Sequence, residues 1–253
     1  MDAPSVVQTA REAFPTGLDQ PDNGHRFSLD PLLLASFVSL KKDDRMADLG
    51  SGCGAAGLAA LLRGTVEAPT QVTSLDIDPA MTGLATTNSA RLGFADRLRP
   101  QTLDIRQVRS KLPAESVSVA LANPPYRKQG TGHSCPDKTR DRARSESHGT
   151  LADFISAAGW LLTNRGRLAV VFPADRLSEL FGACERVRLT PKRLRLVHSR
   201  LTEPARLVLV EAVKNAGSGL RVEAPLGLYE GYGEGTRLSA TALAFCPFLA
   251  KNP

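Results

Sequence analysis

Apolar and polar positions along the chain alternate between two kinds of segment. Short apolar runs bounded by turn formers read as strands: "RMADLG" (45–50), "QVTSLDID" (71–78), "RLRPQTLD" (97–104), "SVSVALA" (116–122) and "RLAVVFP" (167–173). Pro100 interrupts the middle of the third. Longer segments between them read as helices. "AAGLAALLRG" (55–64) is ended by Gly64, and "PAMTGLATTNSARLG" (79–93) is opened by Pro79 and closed by Gly93. "TLADFISAAGWLLTNRG" (150–166) carries Leu151, Phe154, Ile155, Ala158, Leu161 and Leu162, and a further helix runs from Ala174 to about Val187. Upstream, Asp30 reads as an N-cap and Pro31 as the first residue of a buried helix, "LLLASFVSL".

Strands alternating with helices imply a parallel sheet covered on both faces, a doubly wound α/β fold. The last two strands, "RLRLVHS" (193–199) and "ARLVLVEAV" (205–213), are joined only by "RLTEPA" and are therefore expected to pair antiparallel. Residues 1–24 are rich in turn formers (Pro15, Gly17, Pro21, Asn23, Gly24) and read as a loosely held tail. The domain proper is expected over 25–213. Six glycines after Lys214 suggest turns around a small β extension, 214–253, packed on the same domain.

Composition narrows the class. With 253 residues, 42% of them hydrophobic and 23% charged, the chain suits a globular domain with a sizeable core. The formal charge of +6 admits a polyanionic partner without identifying one. Cys53, Cys135, Cys184 and Cys246 are scattered, so neither a metal site nor a disulfide framework is indicated, and His133 beside Cys135 reads as ordinary loop. The N-terminus lacks the apolar core of a signal peptide and no apolar run approaches a membrane span. A cytoplasmic location is expected.

The candidate chemistry begins in "ADLGSGCGAAGLAAL", where Gly50, Gly52, Gly54 and Gly57 stand between a strand and a helix. Glycine permits positive φ and close backbone approach, so a ligand can lie against the main chain at the helix N-terminus. Asp76, 19 positions beyond Gly57, suits a ribose hydroxyl. The pattern serves either a dinucleotide or S-adenosylmethionine. Asp48 favours the latter, because a carboxylate there complements a cationic methionine moiety and opposes a pyrophosphate. Asp104, ending the third strand, can accept from an adenine amine; a solvated carboxylate at a strand end is the other reading.

Residues 123–126, "NPPY", end the fourth strand abruptly. That strand lies beside the first in the usual doubly wound orders, at the ligand-binding crevice. Asn123 offers a side-chain carbonyl and Pro124 a backbone carbonyl, two acceptors that match an amine bearing two hydrogens on a planar ring or amide. Holding both hydrogens frees the nitrogen lone pair for a methyl group, and Tyr126 can stack on the ring, a contact worth about 1–3 kcal/mol per base. A plain strand exit with one stacked tyrosine is the bland alternative.

In this order "DLGSGCG", "LDID" and "NPPY" resemble the class I S-adenosylmethionine-dependent methyltransferases that modify exocyclic or amide nitrogens. The resemblance implies a seven-stranded sheet with one antiparallel strand. It also implies that Gly50, Gly52 and Gly54 line the cofactor, Asp76 binds its ribose, Asp104 meets its adenine, and Asn123, Pro124 and Tyr126 hold the target amine. A narrower likeness runs along nearly the whole chain. "RFSLDPLLLASFV", "CPDKTRDRARSESHGTLADFI", "RLAVVFPADRLSEL" and "ARLVLVEAVKNAG" are similar to the bacterial tRNA1(Val) adenine-N(6) methyltransferase family. This implies methyl transfer to adenine beside an anticodon. One departure is Leu29 before Asp30, where that family is expected to carry a small polar residue; a helix cap suffices to explain Asp30.

Six basic residues follow the tetrapeptide, Arg127, Lys128, Lys138, Arg140, Arg142 and Arg144. They are candidates to hold phosphates while a base enters the site, although a solvated loop is the alternative. A base must leave its stack to reach Asn123, which favours a loop nucleotide or single strand. Rival substrates are a protein glutamine and DNA adenine. The first is disfavoured by only about 45 residues before the first strand, the second by only about 40 after the last. An NAD-dependent oxidoreductase would use the same glycine turn but should add a Tyr-x-x-x-Lys or a His–carboxylate pair, and none is convincing.

Overall fold

The computed structural model describes residues 5–21, 28–63, 69–125 and 149–251. Its centre is a sheet in which β1 (Arg45–Leu49), β2 (Gln71–Asp76), β3 (Leu98–Thr102), β4 (Val117–Ala122), β5 (Leu162–Pro173), β6 (Leu189–His198) and β7 (Ala205–Lys214) take the order β3-β2-β1-β4-β5-β7-β6. Pairing is parallel from β3 to β5, and β7 runs antiparallel to both β5 and β6. The expected seven strands with one reversed are thus present. Short strands β8 (Arg221–Val222) and β9 (Leu226–Gly227) add to the outer edge of β6, both parallel to it. Pro100 is accommodated because β3 is the opposite edge strand.

Alternate residues of the central strands enter two cores. Met46, Val119, Leu121, Ala169 and Val171 pack with α2 (Asp30–Phe37), α3 (Ala55–Leu62) and the end of α4 (Pro79–Arg91). Ala47, Leu49, Ala120, Ala122, Val170 and Phe172 face the other way. There they meet α5 (Val108–Lys111), α6 (Leu151–Leu161) and α7 (Leu177–Arg186).

Three expectations need correction. Residues 6–13 form helix α1 (Val6–Ala13), capped by Ser5, and Phe14 and Leu18 are buried, so this part of the N-terminal segment is packed. Apolar residues spaced among turn formers hid that contact. Helix α6 ends at Leu161, not 166: Leu162 turns extended and pairs with Val117, while Arg165 adopts φ 64°. Thr163 and Asn164 are weak helix formers, and the strand's backbone partner outweighs another helical turn. Leu29, not Asp30, is the N-cap of α2; Asp30 is the first helical residue and donates its N–H to Ser28 Oγ at 3.3 Å.

The C-terminal extension contains β8 and β9, a hairpin of β10 (Tyr229–Glu230) and β11 (Arg237–Leu238), and helix α8 (Ala240–Phe245). Leu226, Leu228, Cys246 and Leu249 join the first core. Phe248 meets Phe14 edge-on at 5.1 Å between ring centroids, which ties the two ends of the described chain together.

Candidate active site

Parallel strands deliver their carboxyl ends to one edge of the sheet, and register decides which residues meet there. Leu49 is paired with both Leu75 and Ala122. The residues that follow, Gly50, Asp76 and Asn123, therefore emerge side by side, each about 4.8 Å from its neighbour in the hydrogen-bonding direction. Ser51 N–H donates to Leu75 carbonyl at 2.9 Å, so the loop stays on the ladder one step beyond β1 before it lifts away.

Each glycine of the loop has its own reason. Gly50 has φ +66°, and a Cβ there would lie 2.8 Å from Phe154 Cε1. Gly52 has φ +55°, and its Cβ would meet nothing within 4 Å. Gly54 has φ +87° and is the N-cap of α3. Gly57 allows α3 to settle on the sheet, since a Cβ would press on Val72 at 3.0 Å and on Asp48 at 3.2 Å.

The acidic residues divide by what they hold. Asp76 Oδ2 accepts from Gly52 N–H at 2.7 Å and Oδ1 from Asp78 N–H at 2.9 Å. A carboxylate has about four acceptor sites, so capacity remains for a ribose hydroxyl. Asp48 lies beneath the loop, 3% exposed, with Oδ2 accepting from Gly57 N–H at 2.9 Å. Its carboxyl is raised to about 7: burial pushes it up most, the Gly57 N–H draws it part of the way back, and the charge of Asp76 adds to the rise. Asp104 caps the turn at Ile105–Gln107 and forms an ion pair with Arg106 at 2.6 Å. Hydrogen bonds from the Arg106 side chain hold Asp104 below the usual carboxylate range; desolvation opposes them, and the Arg106 backbone N–H and charge add smaller lowering contributions. An adenine amine reaching Asp104 would have to displace that guanidinium.

Asn123 is half-buried and Pro124 buried immediately beyond β4. Tyr126 and the basic residues Arg127, Lys128, Lys138, Arg140, Arg142 and Arg144 lie outside the described residues, as do His133 and Cys135.

Three further residues belong to this site. Phe154 of α6 packs against Gly50. Ser51 Oγ is buried and has no hydrogen-bond partner among the described residues. Asn88 of α4 is fully buried: its Nδ2 donates to Cys53 carbonyl at 3.1 Å and Asp19 carbonyl at 3.0 Å. Its Oδ1 accepts from Asp19 N–H at 2.8 Å, so one side chain clasps the N-terminal segment to the glycine loop. A polar residue inside a helix that is otherwise polar on its surface gave no pattern to find it by. Together, the open face at Gly52, the unpartnered Ser51 hydroxyl and the spare capacity of Asp76 fit a nucleoside cofactor lying across the loop. The Asp48 carboxylate beneath the turn suits a cation better than a pyrophosphate.

The family comparison agrees with that geometry. Residues 19–192 match the model of the methyltransferase small domain. A tRNA1(Val) (adenine(37)-N6)-methyltransferase of Mannheimia succiniciproducens is 31% identical over 194 residues, with 71% of this chain and 78% of that one covered. The enzyme of the same name from Porphyromonas gingivalis is 31% identical over 192 residues, covering 74% and 71%. Among solved structures, an Agrobacterium tumefaciens protein described as a predicted O-methyltransferase superposes with a TM-score of 0.68 at 26% identity, over 87% of this chain and 96% of that one. The chain belongs to the methyltransferase small domain family and is an S-adenosylmethionine-dependent methyltransferase.

Proposed function

We propose that the chain methylates the exocyclic amino group of adenine in RNA, and that the RNA is a tRNA modified near its anticodon. The observation that carries this reading is the register that sets Asn123 one strand from Gly50, with Pro124 buried behind it. The relatives named for adenine N6 methylation of a valine tRNA support the choice of acceptor. A tRNA substrate also accords with a formal charge of +6.

When bound, S-adenosylmethionine supplies a methyl group on a sulfonium leaving group. Gly52 would offer the open backbone against which it lies, Asp76 would accept from its ribose, and Ser51 Oγ, without a partner among the described residues, would gain one. Asp48 contributes negative charge from below the loop. Asn123 Oδ1 and the Pro124 carbonyl each accept one hydrogen of the adenine amine. This turns the nitrogen lone pair out of the ring plane and toward the methyl carbon. An amine so held would be able to take the methyl group, leaving S-adenosylhomocysteine, and its surplus proton, acidic only during transfer, would pass to water without a strong base. Tyr126 stacks on the adenine ring, and the basic residues from Arg127 to Arg144 hold flanking phosphates. That split of roles gives salt-dependent binding with specificity vested in the pocket.

The test incubates the protein and methyl-labelled cofactor with separate tRNA, ribosomal RNA, DNA and protein pools, followed by nucleoside and amino-acid analysis. N6-methyladenosine from the tRNA pool is expected. Label found only on protein glutamine would overturn the choice of acceptor.

A further inference from the structure

The C-terminal extension does more than close the first core. β6 is parallel to β1 and β4, so the β6–β7 turn at residues 199–204 emerges at the same edge of the sheet as Asn123. β9 follows β6 to that edge, where Gly227 pairs with His198 and Tyr229 N–H donates to Ser199 carbonyl at 2.9 Å. The β10–β11 hairpin therefore stands above the catalytic edge. From β4 to β6 is three strand steps, about 14 Å laterally, or about four bases at ~3.4 Å per stacked nucleotide.

At the tip of that hairpin Tyr232 is 69% exposed. It is nevertheless held. The Arg200 guanidinium lies 4.5 Å from its ring centroid and covers one face. That guanidinium is fixed by Gly231 carbonyl at 2.7 Å, Thr236 Oγ1 at 3.1 Å and Glu203 at 3.1 Å. The Tyr232 hydroxyl pairs with Thr202 Oγ1 at 3.2 Å. The turn beneath it is tight, because Gly231 has φ +73° and a Cβ there would overlap Gly235 carbonyl. Leu201, 62% exposed, sits beside it against Gly227. A fixed aromatic ring backed by a guanidinium is what a nucleobase stacks on. Nearby charge is mixed: Arg206 and the Arg237–Glu230 pair are offset by Glu203 and Glu234. The surface is thus built for a π-face and not for phosphates.

We propose that Tyr232, backed by Arg200, is a stacking platform for an unpaired base of the RNA substrate a few nucleotides from the target adenine. The proposal rests on the RNA reading above. Its test measures binding of a fluorescently labelled single-stranded oligoribonucleotide and of bulk bacterial tRNA by anisotropy at two salt concentrations, alongside cofactor affinity by calorimetry. Tyr232→Ala should weaken RNA binding about tenfold, one lost base–aromatic stack. The salt slope should stay the same, because no phosphate contact is removed. Tyr232→Phe should bind as the wild type does, and Tyr232→Leu, apolar but without a π-face, should lose as much as Ala. Cofactor affinity and melting temperature should be unchanged in all three. RNA binding by Tyr232→Ala equal to wild type, in a protein that still methylates RNA, would overturn the platform alone. Wild-type protein that neither binds nor methylates RNA would overturn the RNA reading with it. Loss of protein methylation in Tyr232→Ala would reassign the surface to a protein partner and overturn the proposal.

Discussion

Gly50 and Gly52 look equivalent in the sequence, both at positive φ in one loop, but their surroundings predict opposite defects on substitution by alanine. At Gly50 the new methyl would lie 2.8 Å from Phe154 Cε1 and 3.0 Å from Cζ, and φ is +66°. Left-handed backbone costs a non-glycine residue about 1–2 kcal/mol, and overpacking a filled core costs about 1–3 kcal/mol. Gly50→Ala should therefore lose about 2–5 kcal/mol, which at 2–4 °C per kcal/mol is a fall in Tm of at least about 4 °C. At Gly52 the methyl meets nothing within 4 Å, so only the backbone term remains, about 1–2 kcal/mol. That methyl instead enters the space assigned to the cofactor, and affinity should fall at least about tenfold. The assay is thermal unfolding with and without S-adenosylmethionine, combined with calorimetric titration. Shortening the ring in Gly50→Ala/Phe154→Leu should restore part of the lost stability and leave Gly52→Ala as the poorer binder. Equal destabilisation by the two single variants, with equal affinity for the cofactor, would refute the assignment of one glycine to packing and the other to the ligand.

Two further outcomes follow from buried polar groups. Asp48 is raised from 3.8 to about 7, so between those values the native state holds a proton that the unfolded state has lost. Stability should then fall as pH rises from about 4 to about 7, by up to about 4 kcal/mol at 1.36 kcal/mol per unit, and Asp48→Asn should flatten that slope. The same group ties the cofactor to pH: S-adenosylmethionine should bind more tightly at pH 8 than at pH 6 in the wild type. S-adenosylhomocysteine, which lacks the sulfonium charge, should show less of this, and equal pH dependence for both would count against Asp48 as its electrostatic partner. Asn88→Ala removes the clasp between Asp19 and Cys53 and strands buried polar groups, each costing about 1–3 kcal/mol. Its unfolding midpoint should drop, and hydrogen exchange should rise at both the N-terminal segment and the glycine loop; protection unchanged at either end would deny the coupling.

The doubly wound order was legible because most strands are apolar runs and the first two connections are helices, the second with clear signals at Pro79 and Gly93; the short helix α5 between β3 and β4 was not read from the sequence. The reversal of β7 was legible from the shortness of "RLTEPA" alone. Phe14 and Leu18 were not, because their burial depends on Phe248 and the core below, contacts far apart in sequence. Leu162 was misread for a related reason: the helical spacing of apolar residues continues through it, while a backbone partner, Val117, decides its conformation. In the site, Asp76 and Asn123 followed from their places at strand ends. Asp48 was placed correctly at the end of β1, but its direction was not legible, because strand alternation turns it under α3. Asn88 and the Arg106 side of Asp104 are tertiary facts that no local pattern marks.

The central claim is that Asn123 serves the acceptor amine and not the cofactor. Its most direct test is nucleoside analysis of tRNA incubated with S-adenosylmethionine and either wild type or Asn123→Ala, with cofactor binding measured on the same preparations. The account predicts N6-methyladenosine with the wild type, essentially none with Asn123→Ala, and the same cofactor affinity in both. Loss of cofactor binding in a folded Asn123→Ala protein, or methylation that survives the substitution, would contradict it.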